Sequence, residues 1–198
     1  TFKDVIITDT ATIGETINDI PFGTVLFPNG TTNSIPSLTG VVNEDTINID
    51  ASEYFETMTL HSGILTIEIM NGYPTDISNI SLKLINATNQ NIVGTFSFPL
   101  ITTGGIVSDS ISIAGQTIDE NLYAILENMD INASNGPVLI NYADAIITTI
   151  TISEIGITEA TAIFPEQQLT ETLKEHTFDL GGAKIREIGI KEGTPISY

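Results

Sequence analysis

The chain has 198 residues, 41% of them hydrophobic, no cysteine, and 25 acidic against 6 basic residues, for a formal net charge of -19. That length and apolar content suffice for one large or two modest domains with a real core. The acidity excludes charge-driven binding to phosphate backbones and anionic membrane surfaces, so no nucleic acid and no direct anionic membrane contact are expected.

Without cysteine there are no disulfides, thiolate metal sites or thiol nucleophiles, which suits a bacterial envelope or surface protein at least as well as a cytosolic one. Trp is absent, and heavy use of Ile, Thr, Asn and Val favours pleated, half-buried surfaces. The expected class is all-β. No stretch reaches the roughly 18 apolar residues of a membrane helix, and the start at Thr1, with neither Met nor a signal pattern, reads as a processing boundary.

In chain order, Phe2 to Asp9 reads as a strand, followed by a turn-rich passage from Gly14 to Pro36 in which Thr24-Val25-Leu26-Phe27 forms a short strand. Thr46 to Asp50 alternates and places Ile47 and Ile49 on one face. The clearest alternation lies in a central block from Tyr54 to Met129. There a strand starting near Met58 ends at Asn71-Gly72-Tyr73-Pro74, and Ile80 to Ile85 follows. Asn86 to Asn91 then turns the chain into Ile92 to Phe98, and Thr103-Gly104-Gly105 precedes a Ser/Ile-alternating strand from Ile106 to Ile113. Thr117 with Glu120 has capping-box spacing, and Ile118, Leu122, Ile125 or Leu126, and Met129 recur at helical spacing. A helix is therefore expected at about 118–128, plugging one open end of a sandwich. Beyond this block, after Gly136-Pro137, Ala145 to Ile152 reads as a long strand.

An internal repeat relates the two ends of the chain. Ile35-Pro36-Ser37-Leu38 corresponds to Phe164-Pro165-Glu166-Gln167, Ile47-Asn48-Ile49 to Phe178-Asp179-Leu180, and His61-Ser62-Gly63 to Lys191-Glu192-Gly193. The expected organisation is an N-terminal strand and turn-rich segment over 1–35, then a main sandwich unit over 36–163. Residues 164–198 are either the start of a second, incomplete repeat or strands that complete the first sandwich.

The order from Met58 to Met129, with its Asn71-Gly72-Tyr73-Pro74 turn, Gly94-Thr95-Phe96, Gly104-Gly105 and a Ser-rich strand, resembles two families. One is the late-embryogenesis-abundant type 2 (water-stress and hypersensitive-response) sandwich, whose Asn-Pro-Asn motif is replaced here by Asn71-Gly72-Tyr73-Pro74. The other is the secreted repeat β-sandwich domain common in Bacteroidota. The resemblance implies an immunoglobulin-like antiparallel β-sandwich in a bacterial envelope and carries over no catalytic residue.

Candidate chemistry is sparse. His61 and His176 are the only histidines; the first reads as a surface strand residue and the second as a polar loop residue. Carboxylates at Glu44 and Asp45, at Asp119 and Glu120, and at Asp4 and Asp9 lack the calcium-loop spacing, although a surface calcium ion bound between separate loops is a possible cofactor. No Gly-x-Ser-x-Gly elbow occurs. Sequons at Asn29, Asn79, Asn86 and Asn132 match the frequency expected by chance in so Asn- and Thr-rich a chain.

The leading expectation is a non-enzymatic extracytoplasmic structural or protein-interaction module, in the periplasm or at the cell surface. It would bind other envelope proteins, or itself, through strand edges, as in an outer-membrane secretion or surface-adhesion assembly. The expected partner-binding edge is Ile190, Gly193, Thr194 and Ile196. The alternative is a lipid or apolar-ligand binding protein whose groove is lined by strands such as Ala145 to Ile152.

Overall fold

The computed structural model describes residues 4–41, 45–50, 52 and 55–161. Along them the chain forms β1 (Val5–Thr12), α1 (Ile13–Asp19), α2 (Gly23–Leu26), β2 (Thr32–Asn33), β3 (Asp45–Asp50), β4 (Thr57–Asn71), β5 (Ile77–Asn86), β6 (Ile92–Ile101), β7 (Ile106–Ser112), β8 (Thr117–Asp119), β9 (Asn121–Ile131), β10 (Val138–Leu139) and β11 (Ala145–Thr161). Every pairing among these strands is antiparallel.

One sheet runs β1-β11-β4-β7, with β8 also paired to β4; the other runs β3-β9-β5-β6, and β2 with β10 makes a small ribbon. The all-β antiparallel sandwich expected from composition and alternation is present. Its strand order is that of a jelly roll, in which strands that are neighbours in space are mostly remote in sequence.

Alternation builds the core. In β4, Leu65, Ile67 and Ile69 are buried while Glu68 is exposed, and β5 buries Leu82 and Leu84 around a half-buried Lys83. Met58 and Leu60 are also buried, so the inward phase of β4 changes between Leu60 and Leu65. Opposite this change the pairing with β11 shifts register between Ser153 and Gly156, and Glu154 takes φ 53. A second shift, between Ser78 and Ser81 of β5, falls where Asn79 takes φ 52.

The helix expected at about 118–128 is not there. The same residues form β8 and β9, and β9 is an inner strand between β3 and β5. Leu122 and Ala124 alternate as buried residues, and ladders on both sides satisfy the backbone that a helix would have satisfied internally. The helix instead occupies Ile13–Asp19, inside the passage read as turns. Thr12 accepts from the Glu15 N–H at 3.2 Å and Glu15 accepts from the Thr12 N–H at 2.8 Å, a complete capping box, with Ile13 and Ile17 buried. Thr24 to Phe27, expected as a strand, contributes instead to the helical turn α2.

Candidate functional site

The two sheets meet tightly along one side and diverge along the other. At the closed side β6 packs near β7. There the absence of a side chain at Gly94 admits Leu65 and Ile111 close to its backbone. At the other side the terminal strands β1 and β3 stand apart, and between them lies a cleft of about 930 Å³.

One wall of the cleft is the β1/β11 pair, which presents Asp9, Ala11, Ile146 and Thr148. Asp9 lies opposite Thr148, and Ala11 opposite Ile146, in the ladder. The other wall is β3, with Thr46 and Ile47, continued by Ser37 to Val41. That segment is held along β9 by paired bonds between Leu38 and Ile131, both 2.9 Å, and by the Val41 N–H donating to the Met129 carbonyl at 3.1 Å. Asp130 fastens it further, accepting from the Gly40 N–H at 2.9 Å and from the Asn79 amide at 2.6 Å. The Asn79 amide, then the Gly40 N–H, hold the Asp130 carboxyl below its usual range.

The floor is the sandwich core itself: Ile69, Ile77, Ile80, Leu82 and Met129, all buried, with Leu126 partly buried beside them. α1 closes one end. Tyr73, fully buried under it, joins Thr16 through its hydroxyl at 2.8 Å and donates to the Ala11 carbonyl at 3.3 Å. Burial pushes the Tyr73 hydroxyl up to about 12; the Thr16 bond opposes that rise and the Glu15 carboxylate adds to it.

The rim is acidic. Asp9, Glu15 and Asp19 border the cleft, and Lys83 is the sole lysine or arginine between residues 4 and 161. Lys83 is engaged with Glu127 at 2.6 Å. Past Pro21 the chain exposes Phe22, Val25 and Leu26, an apolar stretch directly following the cleft's end in sequence.

Other candidates are not brought together. His61 is exposed on β4, as expected, and its neighbour Ser62 donates to the Glu154 backbone carbonyl at 3.0 Å. Among the described residues, no group of three or more His, Asp or Glu could hold a metal ion. Asp119 is buried with Oδ2 unpaired among the described residues, while its backbone N–H donates to Asn86 at 3.1 Å. The sequon at Asn86 is buried, its amide donating to the Thr117 carbonyl at 2.8 Å.

His176, the second half of the repeat, and the expected edge at Ile190, Gly193, Thr194 and Ile196 lie outside the described residues. The sequence reading offered a groove lined by Ala145 to Ile152 only as its alternative, and for that groove it named none of the other cleft residues. The long strand from Ala145 to Ile152 does carry Ile146 and Thr148 to its wall. The opposite wall depends on where β3 stands, which no local pattern records.

No protein-family model matches the chain, and no curated protein matches it. Among solved structures, the chain is similar to a carbohydrate-binding module of Cellvibrio mixtus lichenase 5A, solved with cellotriose, at 13% identity and a TM-score of 0.29 over 74% of this chain and 96% of that one. It is also similar to the Tobacco streak virus coat protein, at 13% identity and a TM-score of 0.29 over 85% of this chain and 94% of that one. A third similarity is to an infectious bursal disease virus structure, at 13% identity and a TM-score of 0.28 over 80% of this chain and 38% of that one. At such scores these likenesses say nothing of what this chain binds.

Proposed function

We propose that this chain is a non-enzymatic, extracytoplasmic protein-interaction module that receives an extended segment of a partner at the open side of its sandwich. The observation that carries this reading is the cleft between β1 and β3, lined at its opening by the half-buried apolar side chains of Leu38, Val41, Ile47 and Leu126. A terminal strand presents backbone donors and acceptors that an added strand pairs with, while alternate side chains of that strand enter the apolar floor. The exposed Phe22, Val25 and Leu26 extend the apolar surface available to the same partner. A place in a bacterial envelope, in a secretion or adhesion assembly, follows from the family resemblance and belongs to this proposal.

A second reading, an apolar-ligand carrier, draws on the same depth of cleft, because Ile69, Ile77 and Met129 would face an acyl chain equally well. Native mass spectrometry of the protein isolated from its own source separates the two. A stoichiometric protein partner that is lost on Thr148→Trp, which fills the cleft from the β11 wall, supports the interaction module. A lipid-sized added mass lost on the same substitution replaces it with the carrier. Circular dichroism and the melting midpoint establish that the variant is folded.

A further inference from the structure

Resting on that reading, we propose that the cleft selects a cationic partner segment: an extended stretch with apolar residues at alternate positions and Lys or Arg beside them. The floor accounts for the apolar half of this chemistry, and the rim accounts for the charged half.

Asp9 on β1 and Asp19 at the end of α1 border the opening, and neither has a hydrogen-bond or ion-pair partner among the described residues. Glu15, between them in sequence, is held by Thr12 and lowered by the Thr12 backbone N–H and then its hydroxyl, so it stays ionised and adds to the same potential. Lys83 is already matched by Glu127, so between residues 4 and 161 no lysine or arginine is left over for the rim. Three carboxylates over this apolar floor, where Leu126 is half-buried, repel a fatty-acid headgroup. They attract a side chain that lays a methylene stem on the floor and holds its cation at the water boundary, which is how Lys and Arg behave at such junctions. Two rim carboxylates lack partners here, and an incoming cation supplies them.

The test uses the full chain and two short synthetic peptides with the same alternating Ile/Thr core, one bearing Lys at both ends and the other Glu. Binding is followed by calorimetry at low and at high salt. The expected result is saturable binding of the Lys peptide, weakened by salt, reduced about tenfold by Asp9→Asn with Asp19→Asn, and abolished by Thr148→Trp. The Glu peptide binds at least about tenfold more weakly. If both peptides bind equally and both are lost in Thr148→Trp, charge selection is overturned while the interaction reading stands. If neither peptide binds, or if binding survives Thr148→Trp, both are overturned.

Discussion

Tyr73 shows how one side chain ties distant parts of the chain together. It leaves the end of β4, lies fully buried, and reaches α1 through Thr16 and β1 through the Ala11 carbonyl. Its neighbour Asn71, also buried, accepts from the Tyr73 N–H at 3.0 Å and donates to the carbonyls of Thr75 and Ile101, so its own amide is engaged at both ends. Gly72 between them sits where any Cβ would meet the Ala145 carbonyl.

Because the Tyr73 hydroxyl titrates at about 12 in the fold and near 10 unfolded, the folded state holds its proton more tightly between those values. The stability it contributes is whole below pH 10 and is lost as pH rises toward 12, by about 2 to 3 kcal/mol at the upper end. Denaturant titrations across that range should show the decline, and Tyr73→Phe should flatten it while costing about 1 kcal/mol at neutral pH through the lost bonds.

At the scale of elements, two of the chain's Thr-x-x-Glu sequences invite the same description. Thr12 to Glu15 caps a helix; Thr117 to Asp119 is strand β8, with Glu120 between it and β9, and Thr117 pairs its hydroxyl with that of Thr59 at 3.0 Å. Thr12→Ala should therefore cost about 1 kcal/mol in urea unfolding, and Thr117→Ala distinctly less. Equal losses would contradict the assignment. What separates the two sites is the residues that follow. After Glu15, Ile17 lies one helical turn beyond Ile13, whereas after Glu120 the apolar positions Leu122, Ala124 and Leu126 step by two and fit a half-buried strand.

At the scale of the molecule, the sandwich is packed on one side and parted on the other, and core substitutions should report that asymmetry. Leu65 is wholly buried near the closed side, so Leu65→Ala should cost about 2 to 5 kcal/mol. Ile47 is only partly buried on the cleft wall, and Ile47→Ala should cost about 1 kcal/mol, since less surface leaves water contact on folding. Thermal denaturation of the two variants side by side checks the difference.

The alternation of Ile, Leu and Thr was enough to place most of the strands, notably β3, β4, β5, β6, β7 and the first half of β11. A period of two is a property of neighbouring residues and survives without knowledge of any partner. The turns at Asn71 to Pro74 and at Thr103 to Gly105 were legible for the same reason. The fate of residues 117–131 was not, because helix and strand patterns overlap there and the choice belongs to β3 and β5, which flank β9 from about 75 and 45 residues away in sequence. Of the cleft, only the wall from Ala145 to Ile152 was legible; the opposite wall was out of reach of local pattern. The cleft arises because β1 and β3 end their sheets on the same side, and that is a consequence of long-range pairing.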